Sequence, residues 1–357
     1  MGKDRKKITM FRAADYHSAL FYILEKMGYE PQLGVAATDR TLSLGARYAP
    51  ETLCLPHKYL LGTYIEALEN KAEAIVIYNA LAPRRKACRG GYIGDMQRQI
   101  LIDMGYDFDF IVFPFGELVN IKLKEQGYSD LEIMEIMGTL IKKVLIYENI
   151  RDMLFKYRPL VKNMEMADRV YSRLVGKLEK LNNIGELNEF EKDIEESYKK
   201  IPADYDKDIL KIAIIGELGC LNISFLSDSI YSLLGKLGVE ITLTLKLTSY
   251  LMENPLIAEK ALPYIGAYIG GDGQATVGYM IDTIETGHDG VIHLMPFTCL
   301  PETIARYAIT EVVNDYNFPD LNLVLDEHTS KTGLVTRVEA YVDLLRARKE
   351  KKKRMHI

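Results

Sequence analysis

Three cysteines carry the most specific chemistry this sequence could do. Two of them head the same short phrase, Cys54-Leu55-Pro56 and Cys299-Leu300-Pro301, and the third sits in Ala87-Cys88-Arg89-Gly90-Gly91. In each copy of the phrase an apolar or turn-like stretch gives way to an amphipathic helix. Proline is tolerated at the first helical position because its missing donor would be unpaired there, so Pro56 and Pro301 mark helix starts. The positive end of a helix favours thiolate over thiol, and thiolate is the form that binds a metal. Around Cys88 the cations Arg84, Arg85 and Arg89 favour an anionic centre, and Gly90 with Gly91 permits close backbone approach.

The ligand set argues for iron and sulfur over zinc. Structural zinc takes four protein ligands and often draws them as close pairs, whereas no Cys-x-x-Cys pair occurs here. Three thiolates around a cubane leave one iron without a protein cysteine, open to water or a substrate oxygen. Spacing alone also allows three core thiols. Cys220, which follows Gly219 after a strand, reads as a buried structural thiol and not as a fourth ligand.

Other side chains are placed to serve such a centre. Glu217 and Glu327 leave strands, positions from which carboxylates reach a cleft, and Glu51 and Glu302 flank the two Cys-Leu-Pro phrases. Glu51, Glu217 and Glu327 are candidate general bases, with His328 beside the last. Glu302 is also explained by the helix start it would favour. His57 and His293 are suggestive by position, against the plainer role of a core hydrogen bond. Lys58 and Arg85 could attract a phosphate or carboxylate, against simple surface solvation. The segment Gly270-Gly271-Asp272-Gly273-Gln274 precedes a helix, but it lacks the lysine and hydroxyl of a phosphate-binding loop, and no GxGxxG follows the first strand. It is expected to shape a domain-interface loop, so any energy-coupling ATPase belongs to another polypeptide.

The elements that position these residues read as α/β. Strands are expected at Lys7 to Phe11, near Gln32 to Val35, at Ala74 to Tyr78 and at Phe108 to Phe113. Helices are expected at about Ala14 to Met27, Pro56 to Glu69 and about Gly94 to Met104. From Leu123 to about Tyr198 glycine thins out and the spacing turns helical, without the sustained seven-residue repeat of a coiled coil. Strands resume at Ile212 to Gly216, Val239 to Leu243, Val291 to Leu294 and Leu321 to Leu325. Between and after them come helices at Ser224 to Leu237, Ala275 to Thr286, Glu302 to Val313 and Leu334 to Leu345. Strands separated by helix-length segments imply parallel sheets covered on both faces. The expected organisation is an N-terminal α/β domain over 1–122, a helical segment over 123–205, a C-terminal α/β domain over 206–350 and a charged tail over 351–357.

A length of 357 residues, 48% apolar and 27% charged, suits a globular protein with more than one core. With 45 basic against 50 acidic residues, there is no general electrostatic case for nucleic acid. The basic clusters Lys3 to Lys7 and Arg346 to Arg354 read as solvated or frayed ends. No stretch has the apolar length of a membrane span, and the start lacks the core of a secretion signal, so a cytoplasmic location is expected. Four cysteines in a reducing compartment are then thiols or ligands before they are disulfides.

Longer motifs surround the cysteines. They are Tyr48-Ala49-Pro50-Glu51-Thr52-Leu53-Cys54-Leu55-Pro56-His57-Lys58, Cys88-Arg89-Gly90-Gly91-Tyr92 with Gln97-Arg98-Gln99, Gly287 through Glu302, and Leu325-Asp326-Glu327-His328 through Ala340. Together they resemble the 2-hydroxyacyl-CoA dehydratase family, and more closely its branch related to the double-cubane cluster reductases. The resemblance covers most of the chain, least in the central helices. It implies two Rossmann-like parallel-sheet domains with a helical connecting segment, and Cys54, Cys88 and Cys299 as ligands of a [4Fe-4S] cluster or half of a double cubane. Arg85, Gly90, Gly91, Pro56 and Pro301 would shape the cofactor's surroundings. A separate ATPase activator would feed electrons, an acyl-CoA would be the first substrate class, and the chain would work as a homodimer or paralogous heterodimer. Dehydration by ketyl-radical chemistry and low-potential reduction are both compatible with this ligand set. The alternative is a non-catalytic iron-sulfur electron-transfer or scaffold protein.

Overall fold

Two of the inner strands are buried almost throughout. Ala74, Ile75, Val76 and Ile77 are all buried, and so is every residue of Gly290–Pro296, as expected where both faces of a parallel sheet are covered. The computed structural model describes residues 5–12, 14–78, 88–114, 116–252 and 254–355. The chain divides into two compact units, Met1–Tyr147 with Val175–Glu191, and Glu148–Leu174 with Lys192–Ile357.

The first unit holds β1 (Lys6–Met10), α1 (His17–Lys26), β2 (Tyr29–Leu33), α2 (Asp39–Tyr48), α3 (Leu55–Glu69), β3 (Ala74–Tyr78), α4 (Gly90–Asp103), β4 (Asp109–Phe113) and α5 (Glu117–Glu125). The strands form a four-stranded parallel sheet in the order β2-β1-β3-β4. Three long helices follow, α6 (Asp130–Tyr157), α7 (Met164–Lys180) and α8 (Ile184–Lys199). Lys143 of α6 donates to the carbonyls of Leu178 and Leu181 at 3.1 and 2.7 Å, meeting the unpaired acceptors at the end of α7.

The second unit contains β5 (Leu210–Gly216), α9 (Leu218–Asn222), α10 (Ser224–Lys236), β6 (Val239–Leu243) and the short helices α11 (Leu247–Leu251), α12 (Pro255–Lys260) and α13 (Leu262–Ile265). After these come α14 (Gly273–Glu285), β7 (Gly290–Pro296), α15 (Leu300–Tyr316), β8 (Asp320–Leu325) and α16 (Lys331–Met355). Its sheet has the corresponding order, β6-β5-β7-β8, again parallel. Ala213 and Ile215 of β5 pack with Val277, Met280 and Ile281 of α14 and Ala305, Ile309 and Val312 of α15 in one core cluster. The fold is therefore α/β, with two four-stranded parallel sheets and numerous connecting helices.

Several local expectations are corrected. The second strand runs Tyr29–Leu33 with Pro31 inside it, which an edge strand tolerates because one side of its ladder is unpaired. The stretch between Val35 and Pro56, for which no helix or strand was expected, contains α2. The head of α4 lies four residues earlier than Gly94, at Gly90. The basic run from Arg346 to Arg354 is not a frayed tail. It continues α16, where Lys349 pairs with Asp208 at 2.8 Å and donates to the Ile209 carbonyl at 2.6 Å.

Candidate functional site

In both sheets the chain reverses direction at the middle. The loop after β1 leads outward to β2 while the loop after β3 leads to β4, and β5 and β7 repeat the arrangement. The carboxyl ends of such strands are where open α/β sheets place their ligands. Cys88 lies on the segment after β3, Cys299 on the turn after β7, and Cys54 at the head of α3, which runs back into β3.

The two Cys-Leu-Pro phrases are locally alike and topologically different. Each cysteine is itself the N-cap of its helix, with leucine first and proline second, one residue ahead of the start expected for α3 and two ahead for α15. The Cys54 carbonyl accepts from the His57 and Lys58 amides at 3.1 and 3.2 Å, and the Cys299 carbonyl from the Thr303 amide at 3.0 Å. Yet Cys54 heads the helix that precedes a central strand, whereas Cys299 heads the helix that follows one. Cys299 shares its topological place with Cys88. The counterpart of Cys54 in the second unit is Asp272, the N-cap of α14.

In the first unit, the segments bearing Cys54 and Cys88 are tied together. Cys88 Sγ accepts a hydrogen bond from the Gly90 amide at 3.3 Å. Arg89 donates to the Thr52 carbonyl at 2.8 Å, joining the residue after Cys88 to the turn that enters α3. Gln97 Nε2 donates to the His57 carbonyl at 2.7 Å, a second link, from the middle of α4 to the first turn of α3. His57 is buried, and that burial, with the nearby Arg89 charge, pushes its pKa down to about 4. Its ring lies 5.8 Å from Tyr78, which with Phe11 and Phe113 forms an aromatic cluster across the ends of β1, β3 and β4. Lys58 is 4% exposed, so the surface role weighed for it does not hold. Gly90 and Gly91 lie in the first turn of α4 and Pro56 in that of α3, while Glu51 is exposed in the preceding turn. Arg84 and Arg85 lie outside the described residues.

The second unit gathers acids at its sheet edge. Glu217 is the N-cap of α9 and accepts from the Gly219 and Cys220 amides at 2.9 and 2.8 Å. Asp272 Oδ2 accepts from the Leu218 amide at 3.1 Å. Burial first, then the charge of Asp272, and more weakly that of Glu302, push the Glu217 carboxyl up to about 7 against its two amide bonds. Glu302, in the first turn after Cys299, takes Thr276 Oγ1 at 3.0 Å and His293 Nε2 at 2.7 Å. The head of α14 presses on that of α15, since a Cβ on Gly273 would stand 2.3 Å from the Pro301 carbonyl oxygen. Gly270 and Gly271 reach this position with φ of 74° and 64°. Within its own unit the glycine segment thus seats Asp272 at the N-cap position of α14, with its carboxylate turned to the Leu218 amide and not to the helix.

Thr298 precedes Cys299 with φ of 68°, unusual for a β-branched residue, in a turn closed by the Cys299 amide on the Pro296 carbonyl at 3.2 Å. Glu327 and His328 follow β8 at the same edge, Glu327 half-buried and His328 exposed with its amide on Asp326 Oδ1 at 2.9 Å. Cys220 is fully buried in α9. Sequence reading missed Asp272 as a member of the acid group, Thr276 as a hydroxyl donor to it, and the pairing of Glu302 with His293. The signal for the last was present: a histidine in a strand buried at every position demands a polar partner.

None of the described cysteines forms a disulfide. Two sulfurs on helix N-caps and one accepting an amide hydrogen bond are a donor set of the kind an iron-sulfur cluster takes. Among the described residues, no group of three or more His, Cys, Asp or Glu side chains stands assembled to hold a metal ion. No helix among them is long and apolar enough to cross a membrane. No family model matches the chain, and no curated protein is a significant match.

Proposed function

We propose that this chain is the iron-sulfur subunit of a 2-hydroxyacyl-CoA dehydratase-like or low-potential reductase system, supplied with electrons by a separate ATPase activator. Cys54, Cys88 and Cys299 would hold the cluster, which supplies one-electron chemistry at an iron left open to a substrate oxygen. The observation that carries this reading is the placement of all three sulfurs at helix heads on the carboxyl edges of parallel sheets, two of them on segments joined by Arg89 and Thr52. Glu217 is the best placed proton carrier of the expected set. It is buried at that edge and holds its proton near neutrality, the condition for a general acid-base group. Glu51, Glu327 and His328 are more open to solvent and are better suited to meeting a substrate at the rim. A non-catalytic electron carrier would use the same sulfurs without the buried acids.

Anaerobic reconstitution tests the proposal. Wild-type protein should take up about four iron and four sulfide per chain as a [4Fe-4S] centre, and Cys54→Ser, Cys88→Ser and Cys299→Ser should each lose most of it. Failure of the wild type to retain stoichiometric iron and sulfide overturns the reading. A spectral change on adding an acyl-CoA separates an enzyme from a carrier.

A further inference from the structure

The second unit carries a cavity of about 560 Å³ that the cluster reading does not use. It lies at the amino edge of the β6-β5-β7-β8 sheet, where Leu210 begins β5 and the turn Leu237-Gly238 leads into β6. Cys299 follows the opposite end of β7, and strands of this length, at roughly 3.3 Å per residue, hold the two edges about 20 Å apart. Six cations line the cavity, Arg158, Lys162, Lys207, Lys236, Arg346 and Lys349, against two acids, Asp208 and Glu350. The chain as a whole has a formal charge of -5.

The acids are already answered. Asp208 is shared by Lys349 and Lys353, whose hydrogen bonds hold its carboxyl down to about 2, and Glu350 stands 4.0 Å from Arg354. Lys349 also lies 3.5 Å from Asp289. Lys207 donates to the Pro159 carbonyl at 2.7 Å, and Arg346 to the Leu237 carbonyl at 2.5 Å and to Asp343 at 3.3 Å. Arg158 is fixed in place. A Cβ on Gly235 would stand 2.4 Å from its Cδ, so its stem lies against the backbone of α10, and Asp168 takes its Nε at 3.0 Å and its Nη2 at 2.5 Å. Its Nη1 makes no hydrogen bond among the described residues, and Lys162 and Lys236 make neither a hydrogen bond nor an ion pair there. A lysine at the end of α10 suits the helix dipole, but Lys162 lies off any helix, between α6 and α7.

We infer that this cavity binds a phosphorylated small molecule carrying at least two negative charges, held by Lys162, Lys236 and Nη1 of Arg158. These donors come from the α6-α7 connection and from the end of α10, and they line one hollow. Three unit charges exceed what one carboxylate can answer, whereas a phosphate monoester brings nearly two charges and three acceptor oxygens. The volume falls within the range of about 300–1,000 Å³ common to small-molecule sites. Pro159, Val161 and Leu210 are buried in its lining and give the organic body of the ligand an apolar wall. An acidic protein segment would call for cations spread over an open face, and these surround a concavity. The site stands apart from the cluster reading, since no cysteine takes part.

The test titrates the full chain with inorganic pyrophosphate, with ADP and with succinate, followed by calorimetry and by thermal midpoint. Pyrophosphate or ADP should bind the wild type at or below millimolar concentration, raise its midpoint and exceed succinate in affinity by at least about tenfold. Lys162→Glu and Lys236→Glu should each weaken that binding by at least about tenfold. Without ligand neither should lower the midpoint, because each removes a repelling charge. Lys180→Glu, which reverses an exposed lysine of the first unit, should bind as the wild type does. Absence of binding by both phosphate compounds at millimolar concentration overturns the inference. Succinate binding equally well overturns it too, as does Lys180→Glu weakening binding as much as the cavity variants. Tighter capture of a poly-glutamate peptide than of ADP would overturn it in favour of a protein partner.

Discussion

His293 Nε2 and Glu302 Oε2 meet at 2.7 Å with both side chains wholly shielded from solvent. The pair joins the middle of β7 to the first turn of α15, and Thr276 of α14 closes it from the side at 3.0 Å. Glu302→Ala would leave the buried His293 Nε2 without its acceptor and reduce Thr276 Oγ1 to the Asp272 carbonyl, and a loss of about 3–5 kcal/mol is expected. Glu302→Gln keeps an acceptor and should lose about 1–3 kcal/mol. Urea midpoints measure both, and equal midpoints for wild type and Glu302→Ala would show that the pair contributes nothing.

Glu217 should make stability fall as pH rises. Its folded pKa is raised from 4.5 to about 7, so the fold binds a proton that the unfolded chain releases. Its contribution is full below about pH 4.5 and is lost as pH climbs through about 7. Glu217→Gln mimics the protonated form and should gain on the wild type across that window, by up to roughly 3 kcal/mol. Parallel pH profiles for the two proteins would contradict the assignment.

His57 works in the opposite sense. Its folded pKa is lowered from 6.5 to about 4, so its contribution is full above about pH 6.5 and fades as pH drops toward 4. His57→Gln should flatten the acid limb of the first unit's unfolding, followed by aromatic absorbance near Tyr78. An unchanged acid limb would place the loss elsewhere.

Two glycines should respond in opposite directions. A Cβ on Gly45 would stand 1.7 Å from the Lys58 carbonyl oxygen, whereas one on Gly176 meets nothing within 4 Å. Gly45→Ala must push α2 off α3 and should cost at least about 1–3 kcal/mol, disturbing the helix that Cys54 caps. Gly176→Ala, inside α7, should instead stabilise by up to about 1 kcal/mol. Thermal midpoints of the two variants should fall on opposite sides of the wild type.

Elements that bury an apolar stripe were legible. Ala74 to Tyr78 and Val239 to Leu243 have the bounds read from sequence, because a short β-rich run between turns has no competing interpretation. Helix α2 was not, and its packing says why. Its buried positions are Thr41 and Gly45, and it docks through backbone contact with α3, where Gly62 would put a Cβ 1.8 Å from the Thr41 carbonyl oxygen. Such a helix carries small residues, not large apolar ones, on the face that it buries. The cysteine-bearing helix heads were legible to within one or two residues through their prolines, while Asp272 was hidden in a loop weighed for phosphate binding and as a domain-interface turn.

The sequence by itself determined the α/β order of elements, the cysteines at helix starts and the polar residues inside apolar runs, since burial pattern and turn chemistry act over a few neighbouring residues. Only the tertiary structure decided which heads meet: Arg89 on Thr52 across 37 positions, Thr276 on Glu302 across 26. It also decided that Cys54 and Cys299, identical in their local phrase, stand on opposite sides of a central strand in chain order. Those outcomes depend on how closely backbones approach in space and on where a sheet reverses its direction, and neither quantity is written in any short stretch of residues.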